Sequence, residues 1–158
     1  MTKRESDFLQ ESNAIEGVYD DQSLQQAYLA WEYLSGQEKM TPGVMLKTHK
    51  ILMLHQPLLP NEKGYFRQCA VYIGGREGLT WELIESRIKA LALKMQFHPR
   101  DWKRHHVEYE KIHPFVDGNG RTGRMFLNWE RRKAGMPIKV IKESERQCYY
   151  RWFSKLAL

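Results

Sequence analysis

Twelve consecutive residues, His113-Pro114-Phe115-Val116-Asp117-Gly118-Asn119-Gly120-Arg121-Thr122-Gly123-Arg124, put an imidazole, a carboxylate, a glycine-rich turn and two arginines between one helix end and the next helix start. Each type has a task if the partner is a nucleotide polyphosphate. Gly118 and Gly120 allow the positive-φ geometry that turns successive backbone N–H groups toward an anion, and Asn119 is placed to cap the following helix. The N-terminus of that helix adds partial positive charge. Arg121 and Arg124 stand one helical turn apart on the same side and can fork around phosphate oxygens. Asp117, just before the glycine turn, suits Mg²⁺, which binds through few carboxylates plus substrate phosphates. His113, with an ordinary pKa of about 6.5, lies on the approach side and can take a proton from an attacking hydroxyl. Together these groups point to attack on a phosphoryl group.

The elements that must hold this segment read mostly at helical period. Leu24, Ala27, Tyr28, Trp31 and Leu34 recur at three- and four-residue steps, with Asp20 or Asp21 as N-cap and Gly36 as stop. Thr41-Pro42 is an N-cap and N1 pair opening a helix to about His55. Gln56 to Arg67, with Pro57, Pro60, Asn61 and Gly64, is a loop. Ala70 to Ile73 is β-prone and runs into Gly74-Gly75, which predicts a short hairpin. Thr80 is expected to cap a helix carrying Ile84, Ile88, Leu91 and Met95. Pro99 opens another that must stop near His113, because Pro114 disfavours helical geometry in the residue before it. A helix from about Asn119 carries Met125, Phe126 and Trp129 and ends at Gly135, and a last amphipathic segment runs from about Lys142 to Leu156. The fold class is mostly α with one small β element.

The 158 residues carry 25 Lys and Arg against 19 Asp and Glu, and 42% are apolar, an ordinary globular balance for one domain over 1–158. No stretch approaches the roughly 20 apolar residues of a membrane span, and Met1 to Ala14 is too polar for a signal-peptide core. No membrane partner is expected, and the expected location is cytoplasmic. Cys69 and Cys148 form no close metal-type pair, which fits a reducing compartment. A net charge of +6 admits any polyanion as partner without choosing among them.

The His113–Arg124 segment resembles the signature of the Fic family, histidine-x-Phe-x-acidic-Gly-Asn-Gly-Arg-x-x-Arg, at every defined position. His106 and Glu110 stand at the family's usual offsets before it, Gly64 to Arg67 looks like its G-x-x-R loop, and Gly135-Met136-Pro137 resembles its helix-ending turn. The resemblance implies a Fic-like helical domain with a hairpin flap over 70–78, and transfer of AMP from ATP to a protein hydroxyl with loss of pyrophosphate. By similarity His113 is the base toward a Ser, Thr or Tyr of the target, Asp117 the Mg²⁺ ligand, and Gly118, Asn119 and Gly120 the anion nest. Arg121 and Arg124 anchor the β- and γ-phosphates, and Phe115 is a buried anchor. Val71, Tyr72, Ile73 and Gly74 resemble the flap that aligns a target peptide by strand pairing. Doc-type kinases in the same family carry Lys where Gly120 and Arg121 stand here, so the resemblance favours AMP over phosphate transfer.

Ser12 and Glu16, one helical turn apart, project from one face. Ser12-Asn13-Ala14-Ile15-Glu16-Gly17 resembles the Fic inhibitory motif, Ser/Thr-x-x-x-Glu-Gly/Asn, within a helix over 3–18. By that similarity Glu16 pairs with Arg124 and occupies the γ-phosphate position while Ser12 docks the helix, as in self-inhibited Fic enzymes.

Tyr149, Tyr150, Trp152 and Phe153 read first as core packing; Tyr149 and Tyr150 are the candidates for an adenine contact. His49 and His55 have no Cys or His partner at zinc-like spacing, and His105 and His106, adjacent on a helix, point in different directions. The competing reading is a non-catalytic basic module for nucleotide or nucleic acid, with a pI near 9.3 in its favour. Against nucleic acid, no basic stretch is interleaved with stacking aromatics. Within the family, removal of AMP or transfer of another nucleotidyl or phosphoryl group stays open. The target, which can be the chain itself, and the oligomeric state are not legible.

Overall fold

The computed structural model describes residues 1–157, with side chains through Ser154. Seven α-helices and one hairpin form the described chain: α1 (Lys3–Ile15), α2 (Asp21–Ser35), α3 (Pro42–Leu52), β1 (Tyr72–Ile73), β2 (Arg76–Glu77), α4 (Ile84–Phe97), α5 (Trp102–Ile112), α6 (Asn119–Lys133) and α7 (Arg146–Tyr150). Helix α6 is the axis. Nearly every residue from Asn119 to Glu130 is buried, because α1, α2, α3 and α5 all pack against it. The principal core joins Phe8, Leu9, Trp31, Leu34, Met45, Leu52, Ile88, Leu91, Tyr109 and Phe126.

Local chemistry explains most boundaries. Asp20 and Thr41 cap α2 and α3 by accepting from Ser23 N–H at 2.9 Å and Val44 N–H at 3.1 Å. Thr2 caps α1 and forms a reciprocal box with Glu5. Helix α1 stops at Ile15 rather than continuing to residue 18. Gly17 takes a left-handed φ of 71°, and its N–H and that of Val18 reach back to the Ala14 and Asn13 carbonyls. In the hairpin, Tyr72 pairs with Glu77 and Ile73 with Arg76, and the turn uses Gly74 and Gly75 at positive φ.

Three further boundary expectations are corrected. Helix α3 ends at Leu52, short of His55, because the chain turns back: Gln56 N–H bonds the Met53 carbonyl and Lys63 Nζ bonds that of Leu54. Thr80 makes no side-chain cap; its carbonyl instead accepts from Leu83 N–H across a 3-10 turn, Trp81–Leu83, and α4 begins at Ile84. The segment expected from Lys142 to Leu156 is not one helix. It is a 3-10 turn (Glu143–Glu145), α7, and a 3-10 stretch (Arg151–Ala157), with Ile15, Ile141 and Tyr149 in a small second core. The Leu156 side chain lies outside the described residues.

Candidate active site

One cavity of about 650 Å³, within the usual range for a small-molecule site, is lined by His113, Asp117, Gly118, Asn119, Gly120, Arg121 and Arg124 together with Glu16, Glu110, Tyr149 and Tyr150. Residues from both ends of the chain therefore meet at the start of α6.

His113 is the C-cap of α5 and the one non-glycine residue at positive φ among those described, 50°. Such a conformation costs on the order of 1–3 kcal/mol and persists only where the surroundings over-determine it. Arg67 supplies much of that constraint. Its Nε donates to the His113 carbonyl at 2.7 Å, its Nη2 to that of Ile112 at 3.1 Å, and its backbone N–H to that of Pro114 at 2.9 Å. Farther along the loop, His49 stacks on Phe115 with ring centroids 3.7 Å apart, accepts from Gly64 N–H at Nδ1 and, with the remaining proton on Nε2, donates to the Asp117 carbonyl at 2.8 Å. Burial pushes His49 down to about 4, so it keeps this neutral form at physiological pH. Gly118, at φ 85°, leaves no room for a Cβ, which would meet Met53 Sδ and His49.

Asn119 does not cap α6, whose N-cap is Gly118. Its amide instead staples the loop, accepting from Phe115 N–H at 2.9 Å and donating to the Phe115 carbonyl at 2.8 Å. The N–H groups of the first turn of α6, ahead of the Thr122-to-Gly118 bond, have no helical carbonyl to reach. They sit where an anion is favoured.

The His113 ring has Nδ1 3.3 Å from the Glu110 carbonyl, which can only accept, so Nδ1 carries the proton and Nε2 is the free base. Burial depresses its pKa, which keeps that form populated at neutral pH. Glu110, whose Oε2 lies 3.8 Å from His113 Nδ1, has no hydrogen-bond partner at Oε1, and burial with the nearby Glu16 charge raises it to about 7 against the pull of Arg124.

Arg121 is 3% exposed, yet its Nε and Nη1 have no partner and its Nη2 stands 3.7 Å from Asp117 Oδ2. Buried unpaired donors lining a cavity are what an anionic ligand would satisfy. Arg124 is held from the end of α1 by Ser12 and Glu16: Nε donates to Ser12 Oγ at 2.7 Å, and Nη2 donates to the Ser12 carbonyl at 3.0 Å and to Glu16 Oε1 at 2.8 Å. A Cβ on Gly120 would run into both the Glu16 carboxylate and the Arg124 guanidinium, so Glu16 lies directly over the first turn of α6, where an anion is favoured. Among the described residues no three His, Cys, Asp or Glu side chains converge as a metal cage. The exposed Asp117 carboxylate, beside this anion-seeking turn, fits a Mg²⁺ carried mainly by phosphate oxygens and water.

The sequence motifs thus come together around this cavity. Tyr149 is 3% exposed and its hydroxyl is engaged with Arg124 and His106, whereas Tyr150 stands exposed at the cavity wall. Flap residues Ile73 and Gly74 border the cavity, and Val71 and Tyr72 precede them outside its lining. His49 and Arg67 act as supports that residue type alone did not mark; only the G-x-x-R likeness pointed at Arg67.

A family profile described as "Fic/DOC family" matches residues 45–130. A protein adenylyltransferase Fic of Drosophila grimshawi is 34% identical over 147 residues, and that of Drosophila melanogaster 35%, each alignment covering 82% of this chain and 28% of the relative. The chain therefore spans less than a third of the length of these relatives. Among solved structures, a Fic-domain-containing signaling protein from Bacteroides thetaiotaomicron superposes with a TM-score of 0.80 at 17% identity, over 94% of this chain and 70% of that one. A Fic family protein from Desulfovibrio desulfuricans gives 0.79 at 22% identity, over 98% and 57%. No helix among the described residues is long and apolar enough to cross a membrane.

Proposed function

This chain belongs to the Fic/DOC family, and from that premise we propose that it is a Mg²⁺-dependent protein adenylyltransferase restrained by its own Glu16. The observation that carries the reading is the single cavity in which an imidazole with a free Nε2, unpaired arginine donors and the bare start of α6 face one another. The names of its relatives, protein adenylyltransferases, support the same chemistry.

In this scheme the triphosphate lies across the first turn of α6, held by the backbone N–H groups of Asn119 and Gly120 and by Arg121 and Arg124. His113 Nε2 accepts the proton of a Ser, Thr or Tyr hydroxyl as its oxygen bonds the α-phosphorus. The bond from the α-phosphorus to the bridging oxygen breaks, and pyrophosphate leaves. Mg²⁺ at Asp117 would neutralise charge shared between phosphates. A target segment lies as an added strand along the flap at Val71 to Gly74, its register set by backbone hydrogen bonds. Glu16 opposes all of this locally: it holds the guanidinium meant for the γ-phosphate and repels that phosphate, so the α-phosphorus is not presented in line.

Labelled ATP tests the scheme. With Mg²⁺ and α-labelled ATP, Glu16→Gly should transfer label to protein about a hundredfold faster than wild type, the equivalent of one charge-assisted contact, and Glu16→Gly/His113→Ala should transfer none. Incorporation from γ-labelled ATP would assign phosphate transfer instead, and equal labelling by all variants would remove the mechanism.

A further inference from the structure

Arg124 is gripped from a second direction that the inhibitory contact does not involve. Its Nη1 donates to the Tyr149 hydroxyl at 3.2 Å. A guanidinium only donates, so the Tyr149 oxygen accepts there and must send its own proton elsewhere. His106 Nε2 lies 2.7 Å from that oxygen and takes it. Acceptance requires a neutral imidazole, and burial, aided by the Arg124 charge, pushes His106 down to about 3. All three side chains are buried, drawn from α5, α6 and α7.

Counting donors separates the two grips. Of the five guanidinium N–H bonds, Ser12 takes two, Glu16 one and Tyr149 one. Loss of Glu16 alone leaves one N–H on each terminal nitrogen unclaimed, a fork that matches two oxygens of a terminal phosphate. Ser12 and Tyr149 would still pin the plane. We propose that Tyr149, with its hydroxyl oriented by His106, is a positioning residue that keeps Arg124 in its phosphate-gripping pose whether or not Glu16 is engaged. This inference rests on the proposed ATP site, and it replaces an adenine contact as the role of Tyr149.

The readout is discrimination between nucleotides, because Arg124 serves the γ-phosphate that ADP lacks. Calorimetric titrations with Mg²⁺ compare ATP and ADP on Glu16→Gly protein with and without Tyr149→Phe. ATP affinity should fall about tenfold, the worth of a hydrogen bond to a charged group, while ADP affinity stays within about twofold. His106→Gln, in the same background, should weaken ATP selectively and add nothing to Tyr149→Phe, since both act through one hydroxyl. It carries the test should Tyr149→Phe fail to melt cooperatively. Equal weakening of ATP and ADP, unchanged ATP affinity, additive effects of the two substitutions, or failure of both variants to fold would each overturn the assignment. Glu16→Gly protein that binds neither nucleotide would instead sink the ATP site on which it rests.

Discussion

Glu16 and Tyr149 reach the same guanidinium from opposite ends of the chain, and their surroundings differ in kind. Glu16 is the C-cap of α1, its side chain is 37% exposed, and a glycine at left-handed φ follows it. Tyr149 packs among His106, Trp152 and Phe153, with ring centroids 5.1 to 5.7 Å from its own. In the proposed scheme one contact is made to be given up and the other to stay. The body of α1 sides with the second. Phe8 meets Trp31 edge-on at 5.1 Å, Arg4 Nε donates to the Ile138 carbonyl at 2.6 Å, and Glu11 accepts from Glu143 N–H at 2.8 Å. In that scheme, relief of inhibition calls for movement of a side chain and at most the last turn of α1, not departure of the helix.

The largest expected effect tests that difference directly. Phe8→Ala should cost about 4 kcal/mol of stability, read by denaturant unfolding, without reproducing the activation of Glu16→Gly. Activation at little cost in stability would show that α1 is detachable and would break the contrast. Next, the fixed side depends on a neutral imidazole. Unfolded His106 takes a proton near its ordinary value of 6.5, but the folded group refuses it until about 3, so protonation of the unfolded state destabilises the native one as pH falls through that window. Between pH 7 and 5 the wild type should lose about 2 kcal/mol of unfolding free energy relative to His106→Gln; parallel pH profiles would mean that His106 is not held neutral. The smallest effect belongs to Gly17. A Cβ at Gly17 meets nothing within 4 Å, so Gly17→Ala should cost only the strain of its φ, about 1 kcal/mol, in the same unfolding assay. A much larger loss would mean that the turn after Glu16 is packed rather than free to move.

How much was legible follows from how local each feature is. Asp20, Thr41-Pro42 and Gly74-Gly75 mark boundaries through bonds and dihedral preferences confined to a few residues, and the structure carries the elements they announce. Thr80 misled because a 3-10 turn satisfies the same backbone groups without its hydroxyl. Lys142 to Leu156 misled because its apolar residues pack on Ile15 and Ile141, which breaks an apparently continuous stripe into short pieces. Asn119 has the right type for a cap, but the nearer Phe115 backbone claims both ends of its amide.

The sequence by itself determined the chemistry available between His113 and Arg124, because those groups are neighbours on one loop and one helical turn and need no distant partner to be juxtaposed. Only the tertiary structure decided which of their atoms are left free. Ser12, Glu16 and Tyr149 on Arg124, Arg67 behind His113, and His49 beneath Phe115 are contacts between residues far apart in the chain. Hydrogen-bonding capacity is finite, so a donor claimed by a distant acceptor is lost to a ligand, and that assignment exists only once the helices have packed.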